Sequence, residues 1–173
     1  TKSPPKPARQ LPGTTIQGRL ATFRGCFSIE FPAPPAPLPT LLPSGGNAAW
    51  WKDGVTGSFF EAAYHEPFRA CRAGYFYYPV DASPDARKQS LARLVGDAGR
   101  EAKGYKEASR RQVMMGGRAW EEVATKAADG PATAVVRTYE TGDLVYLLAA
   151  YRDDGNAPDE DQEKFFGSFR FVK

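Results

Sequence analysis

The sequence predicts an α+β domain: a mainly antiparallel β-sheet with helices packed against it. Three observations carry this reading. Turn signals at hairpin spacing separate the strand-like runs, as at Met115-Gly116-Gly117-Arg118, Asp129-Gly130-Pro131 and Thr141-Gly142. One segment, Ser83 to about Glu101, combines a helix start with apolar residues at helical spacing. Aromatic residues make up 13% of the chain, and flat rings suit a pleated, half-buried surface. At 173 residues the chain is the size of a single domain with a substantial core.

The elements follow in order. Residues 1–15 read as a flexible arm, rich in Pro and Lys, and residues 16–173 as the domain. The opening TKSPPKPARQLPG has the composition of a tether left after processing. Ile16 to Phe31 is strand-like, with Phe27, Ile29 and Phe31 alternating onto one face. The proline-laden stretch PAPPAPLPTLLPSGGN cannot pair as a central strand and predicts an extended surface crossing. Ser58 to His65 and Ala70 to Tyr78 are strands; their adjacent rings, Phe59-Phe60 and Tyr77-Tyr78, must be covered on both faces or be partly exposed.

Ser83-Pro84-Asp85 supplies an N-cap, a first-turn proline and an acid at the positive end of the helix dipole. Leu91, Leu94, Val95 and Ala98 form its buried stripe, and Gly104 stops it. Four strands follow, Tyr105–Met114, Ala119–Lys126, Thr133–Glu140 and Asp143–Tyr151. The last is apolar on both faces between Leu144 and Tyr151, as a covered central strand would be. Pro158 opens a short final helix anchored by Phe165, Phe166 and Phe169.

Charge and composition exclude several functions. The net charge is +3, from 23 basic and 20 acidic residues, too mild for nucleic-acid binding. The basic stretch Arg100, Lys103, Lys106, Arg110 and Arg111 is interrupted by Glu101 and Glu107 and reads as a solvated face. No apolar run reaches the length of a membrane span.

Catalytic and metal signatures are sparse. The single histidine, His65, comes with no G-x-S-x-G elbow, which argues against a Ser-His-Asp hydrolase. Cys26, Cys71 and His65 lack zinc-ligand spacing. Asp153, Asp154, Asn156, Asp159, Glu160 and Asp161 form an oxygen-rich cluster without the order of a calcium loop, and read as a solvated turn running into a helix N-terminus. No glycine loop of the phosphate-binding kind is present, and no cofactor is expected. Cys26 and Cys71 are disulfide candidates: pairing would close a loop of about 45 residues, worth roughly 4 kcal/mol, while buried free thiols are the alternative. Trp50 and Trp51, beside a loop, together with Tyr77 and Tyr78 are candidate partner-binding residues; packing beneath the proline crossing competes with that role.

Several of these stretches together resemble PsbP-like domains. They are FSIEFP before a proline-bearing crossing, GYFYYP before a helix beginning Ser-Pro-Asp, and RTYETGDLVYLLAAYRDDG before EKFFGSFRF. The resemblance covers about residues 20 to 172 and is a pattern of elements. It implies an antiparallel sheet sandwiched by helices, and a family of binding and assembly factors that includes secreted bacterial members and an extrinsic subunit of photosystem II. It brings no catalytic set.

The expectation is therefore a noncatalytic, periplasmic or otherwise extracytoplasmic accessory protein, tethered through its arm in the manner of a lipoprotein. Its partner would be a protein, at its most specific a large membrane complex, with no small molecule expected. The alternative is a small-molecule binding domain with an aromatic pocket between sheet and helix.

Overall fold

The computed structural model describes residues 13–38, 56–64, 68–79 and 81–173. A seven-stranded antiparallel sheet forms the centre, in the order β4-β5-β6-β10-β9-β8-β7. Its strands are β4 (Ala36–Pro37), β5 (Thr56–Tyr64), β6 (Arg69–Tyr77), β7 (Lys106–Met115), β8 (Arg118–Lys126), β9 (Thr133–Thr141) and β10 (Leu144–Arg152). Among the described residues, the proline crossing joins the sheet as β4, a two-residue edge strand where a missing N–H costs least, and Leu38 N–H continues onto the Phe59 carbonyl. β10 lies between β6 and β9, and Val145 to Tyr151 are all buried, as its continuous apolar run demands.

A second sheet, β1-β2-β3-β11, packs against one face of the first. Its strands are β1 (Thr14–Gln17), β2 (Leu20–Phe23), β3 (Phe27–Glu30) and β11 (Arg170–Phe171). Phe23, Phe27, Ile29 and Phe31 meet Ala73, Tyr75, Tyr146 and Leu148 of the large sheet in one core. Helix α2 (Glu160–Gly167) closes the side of this layer with Phe165 and Phe166. Each of these fully buried apolar side chains contributes on the order of 1.5–3 kcal/mol. Helix α1 (Pro84–Ala98) covers the opposite face, setting Leu94 and Ala98 on Phe76, Val136, Val145 and Leu147.

The fold class therefore departs from the expected sheet sandwiched by helices. The described residues are β-rich, 50% strand against 19% helix, and a second sheet occupies most of the face where helices were expected. The cause lies in residues 16–31, read as one strand. Gly18 (φ 60°) and Gly25 (φ 71°) adopt the left-handed conformation that tight turns require, and they fold this stretch into a three-strand meander with β1 and β2. The alternation of Phe27, Ile29 and Phe31 is real but serves this added layer. Thr14 and Thr15, assigned to the arm, belong to β1. With both faces of the large sheet covered, adjacent rings part company: Phe59 joins the helix-side core while Phe60 packs against the other.

Helix α1 begins as its signature predicts. Ser83 caps it, its Oγ accepting the Ala86 N–H at 3.1 Å, with Pro84 first in the helix. It ends earlier than the apolar spacing suggests, at Ala98; Arg100 (φ 61°) then turns the chain into a short 3-10 segment, Glu101–Lys103. Two side chains of the sheet hold this end. The Tyr151 hydroxyl donates to the Ala98 carbonyl and Thr125 Oγ1 to the Gly99 carbonyl, both at 2.7 Å. Tyr151→Phe should therefore lower stability by about 1–3 kcal/mol, since a buried carbonyl loses its donor. Urea unfolding followed by circular dichroism would show it; an unchanged midpoint would contradict the anchoring role.

Candidate functional site

The residues singled out from sequence do not form one site. Trp50, Trp51 and His65 lie outside the described residues. Tyr77 and Tyr78 point to opposite faces of the large sheet. Tyr77 is half-buried beside Tyr75, whereas Tyr78 is 2% exposed, packed against Phe76 and beneath the Arg87 guanidinium. They offer no shared aromatic surface. Cys26 and Cys71, the disulfide candidates, are two free buried thiols in the small-sheet core. Burial pushes both thiols up, Cys71 further through the nearby carboxylates of Asp159 and Glu61, so neither is an activated nucleophile.

The acidic loop is a salt-bridge hub. Asp154 takes Arg69 at 2.8 Å and Arg152 at 3.0 Å, and these hydrogen bonds hold its carboxyl well below the usual range. Asp159 accepts from Arg69 and from the Tyr64 hydroxyl, and it also caps α2 by accepting the Gln162 N–H at 2.7 Å. The cap is thus Asp159, with Pro158 one residue before it rather than first in the helix. Gln162, fully buried, completes the capping box and donates to the carbonyls of Ala70 and Tyr151. Asp154 and Asp159 are thus engaged by arginine, tyrosine and backbone partners.

The basic stretch is likewise divided. Arg100 stacks on the Tyr151 ring at 4.2 Å and reaches Asp153 at 3.4 Å. Arg110 pairs with Glu107 and Glu121, and Arg111 with Glu122.

Glu122 is the most enclosed charge on the small-sheet face. Its carboxylate is 6% exposed, with Oε1 taking Arg111 Nε and Oε2 taking Arg137 Nε, each at 2.8 Å. Burial alone would raise this carboxyl, but the two guanidiniums outweigh it and hold the group below its ordinary value. A depressed folded pKa stabilises fully above the unfolded value, about 4.3, and the contribution fades as pH falls through the folded one. Glu122→Gln should cost about 2–4 kcal/mol at neutral pH by leaving Arg137 buried beside a neutral partner. It should also flatten the loss of stability on acidification. Thermal melts across pH 3 to 7 would show both; parallel wild-type and variant profiles would contradict this.

The helix-side face carries a cleft of about 430 Å³. It opens because α1 crosses over β10 and β9 but leaves the outer strands β8 and β7 partly bare on that side. Leu91, Ala92 and Val95 of α1 form one wall and Val123 of β8 the floor. Gly96 gives room for the Glu101 carboxylate, which lies where a side chain would stand. Lys88 and Glu101 sit at the rim, while Arg110 is held there between Glu107 and Glu121.

No family model, curated protein or solved structure matches the chain.

Proposed function

We propose that the chain is a noncatalytic binding protein whose ligand, a small amphipathic molecule, occupies the cleft between α1 and the β7–β9 end of the large sheet. The single observation behind this reading is the cleft itself. Its volume is in the range of small-molecule sites, and its lining joins an aliphatic patch, Leu91, Ala92, Val95 and Val123, to charged groups that include Lys88 and Glu101. The apolar body of the ligand rests on Leu91, Ala92, Val95 and Val123, and its polar end faces Lys88 and Glu101. A noncatalytic role is supported by the commitment of the Asp154, Asp159 and Glu122 carboxylates to structural arginines and by the burial of both thiols.

Ala92 is exposed and lines the cleft, so Ala92→Trp fills it without touching the core. Titration with the neutral apolar dye Nile red should show saturable fluorescence enhancement in the wild type. The variant should bind at least 10-fold more weakly, with an unchanged melting temperature. Equal binding by both proteins would remove the cleft as the ligand site.

A second reading, an extracytoplasmic accessory subunit, draws on β7. This outer strand is exposed along most of its ten residues and, among the described residues, its outer ladder edge has no paired strand. The likeness to PsbP-like domains and the tethering role of the N-terminal arm belong to this reading. Among the described residues no helix is long and apolar enough to cross a membrane. Deleting residues 1–12, which spares β1, should weaken co-purification with a membrane complex and leave the melting temperature unchanged. Undiminished co-purification would count against the tether.

A further inference from the structure

On the face opposite the helix-side cleft, α2 and the tip of the β7–β8 hairpin enclose a second cleft of about 330 Å³. Arg111 and Arg137 line it, together with Met114, Pro158, Phe166 and Glu163. The two arginines are the pair that grips Glu122, and the manner of the grip leaves them incomplete. Each guanidinium donates to the carboxylate through Nε alone. Arg137 Nη1 meets only the Met115 sulfur at 3.1 Å, a weak acceptor. Arg137 Nη2 and both Nη groups of Arg111 have no partner among the described residues.

Two guanidiniums grip Glu122 in a partly desolvated setting, with the Arg137 side chain 14% exposed and Glu122 6%. Glu163 also lines the cleft, so the charges balance and the open Nη donors are what an incoming acid meets. Arg137 is further oriented by stacking on the Phe166 ring at 4.1 Å. Beside these donors lie the Met115 thioether, on the same face of β7 as Arg111, and the Phe166 ring.

We infer that this cleft is a binding site for a monoanionic organic acid. Its carboxylate accepts hydrogen bonds from the free Nη groups of Arg111 and Arg137, and its short apolar or aromatic tail lies against Phe166 and Pro158. Glu163 in the lining limits how much negative charge the site takes, so a monoanion fits better than a dianion such as phosphate. The site is separate from the helix-side cleft and does not depend on its reading.

Benzoate and hexanoate titrated into 15N-labelled full chain should shift amide signals of Arg111, Met114, Arg137 and Phe166, saturating with a Kd of about 1 mM or tighter. Inorganic phosphate at matched ionic strength should bind at least 10-fold more weakly. Removing Arg137 strands Glu122, so the decisive variant is Arg111→Gln, whose side chain is 66% exposed and whose loss leaves the Arg137–Glu122 pair intact. It should weaken benzoate binding at least 10-fold with a native spectrum, whereas Ala92→Trp should leave it unchanged. Absence of saturable shifts, equal affinity of Arg111→Gln, or tighter binding of phosphate would each overturn the assignment.

Discussion

Tyr151 is the point on which the layers of this protein meet. It lies at the end of the central strand β10 and is fully buried. Its hydroxyl holds the last turn of α1 through Ala98, while its backbone carbonyl receives Gln162 of α2. Its ring is flanked by the Arg72 and Arg100 guanidiniums at 5.2 and 4.2 Å. One residue thereby fixes where α1 stops on one face and where α2 begins on the other. The crossing of α1 decides which part of the sheet stays open, so the helix-side cleft is a consequence of this anchor.

Arginine does much of the remaining work. Arg69 ties β6 to the loop before α2 through Asp154 and Asp159, and Arg137 ties β9 to β8 through Glu122. Planar guanidiniums suit this role because they hydrogen-bond at their edges while stacking on Tyr151 or Phe166 with their faces. The near-neutral charge balance of the chain is therefore organised pair by pair at the margins of the sheets. Where two arginines share one acid, at Glu122, hydrogen-bond donors remain open beside a cleft.

Much of the architecture was legible in the sequence. The hairpins, the Ser83 cap and the two-sided burial of Leu144 to Tyr151 follow from local patterns that tertiary context did not override. The second sheet was not legible, because alternation of Phe27, Ile29 and Phe31 looks the same in either layer. Only the left-handed backbone at Gly18 and Gly25 reveals that the stretch folds on itself. The candidate sites were less visible still. Reading aromatic residues as exposed anchors fails when both sheet faces are covered, as for Tyr78. A usable signal did exist: Glu122 falls in phase with Trp120 and Ala124, and Arg137 with Val135 and Tyr139. Opposite charges at inward-facing positions of neighbouring strands announce a buried pair.

Native-state amide exchange under increasing denaturant tests most directly whether Tyr151 binds the layers into one unit. If it does, the protected amides of Val95 to Gly99 in α1 and of Phe165 and Phe166 in α2 open with the same free energy and denaturant dependence as those of β10. Exchange of either helix through a separate, low-energy opening while β10 stays protected would contradict it, and would make the cleft beside α1 a transient feature rather than a built one.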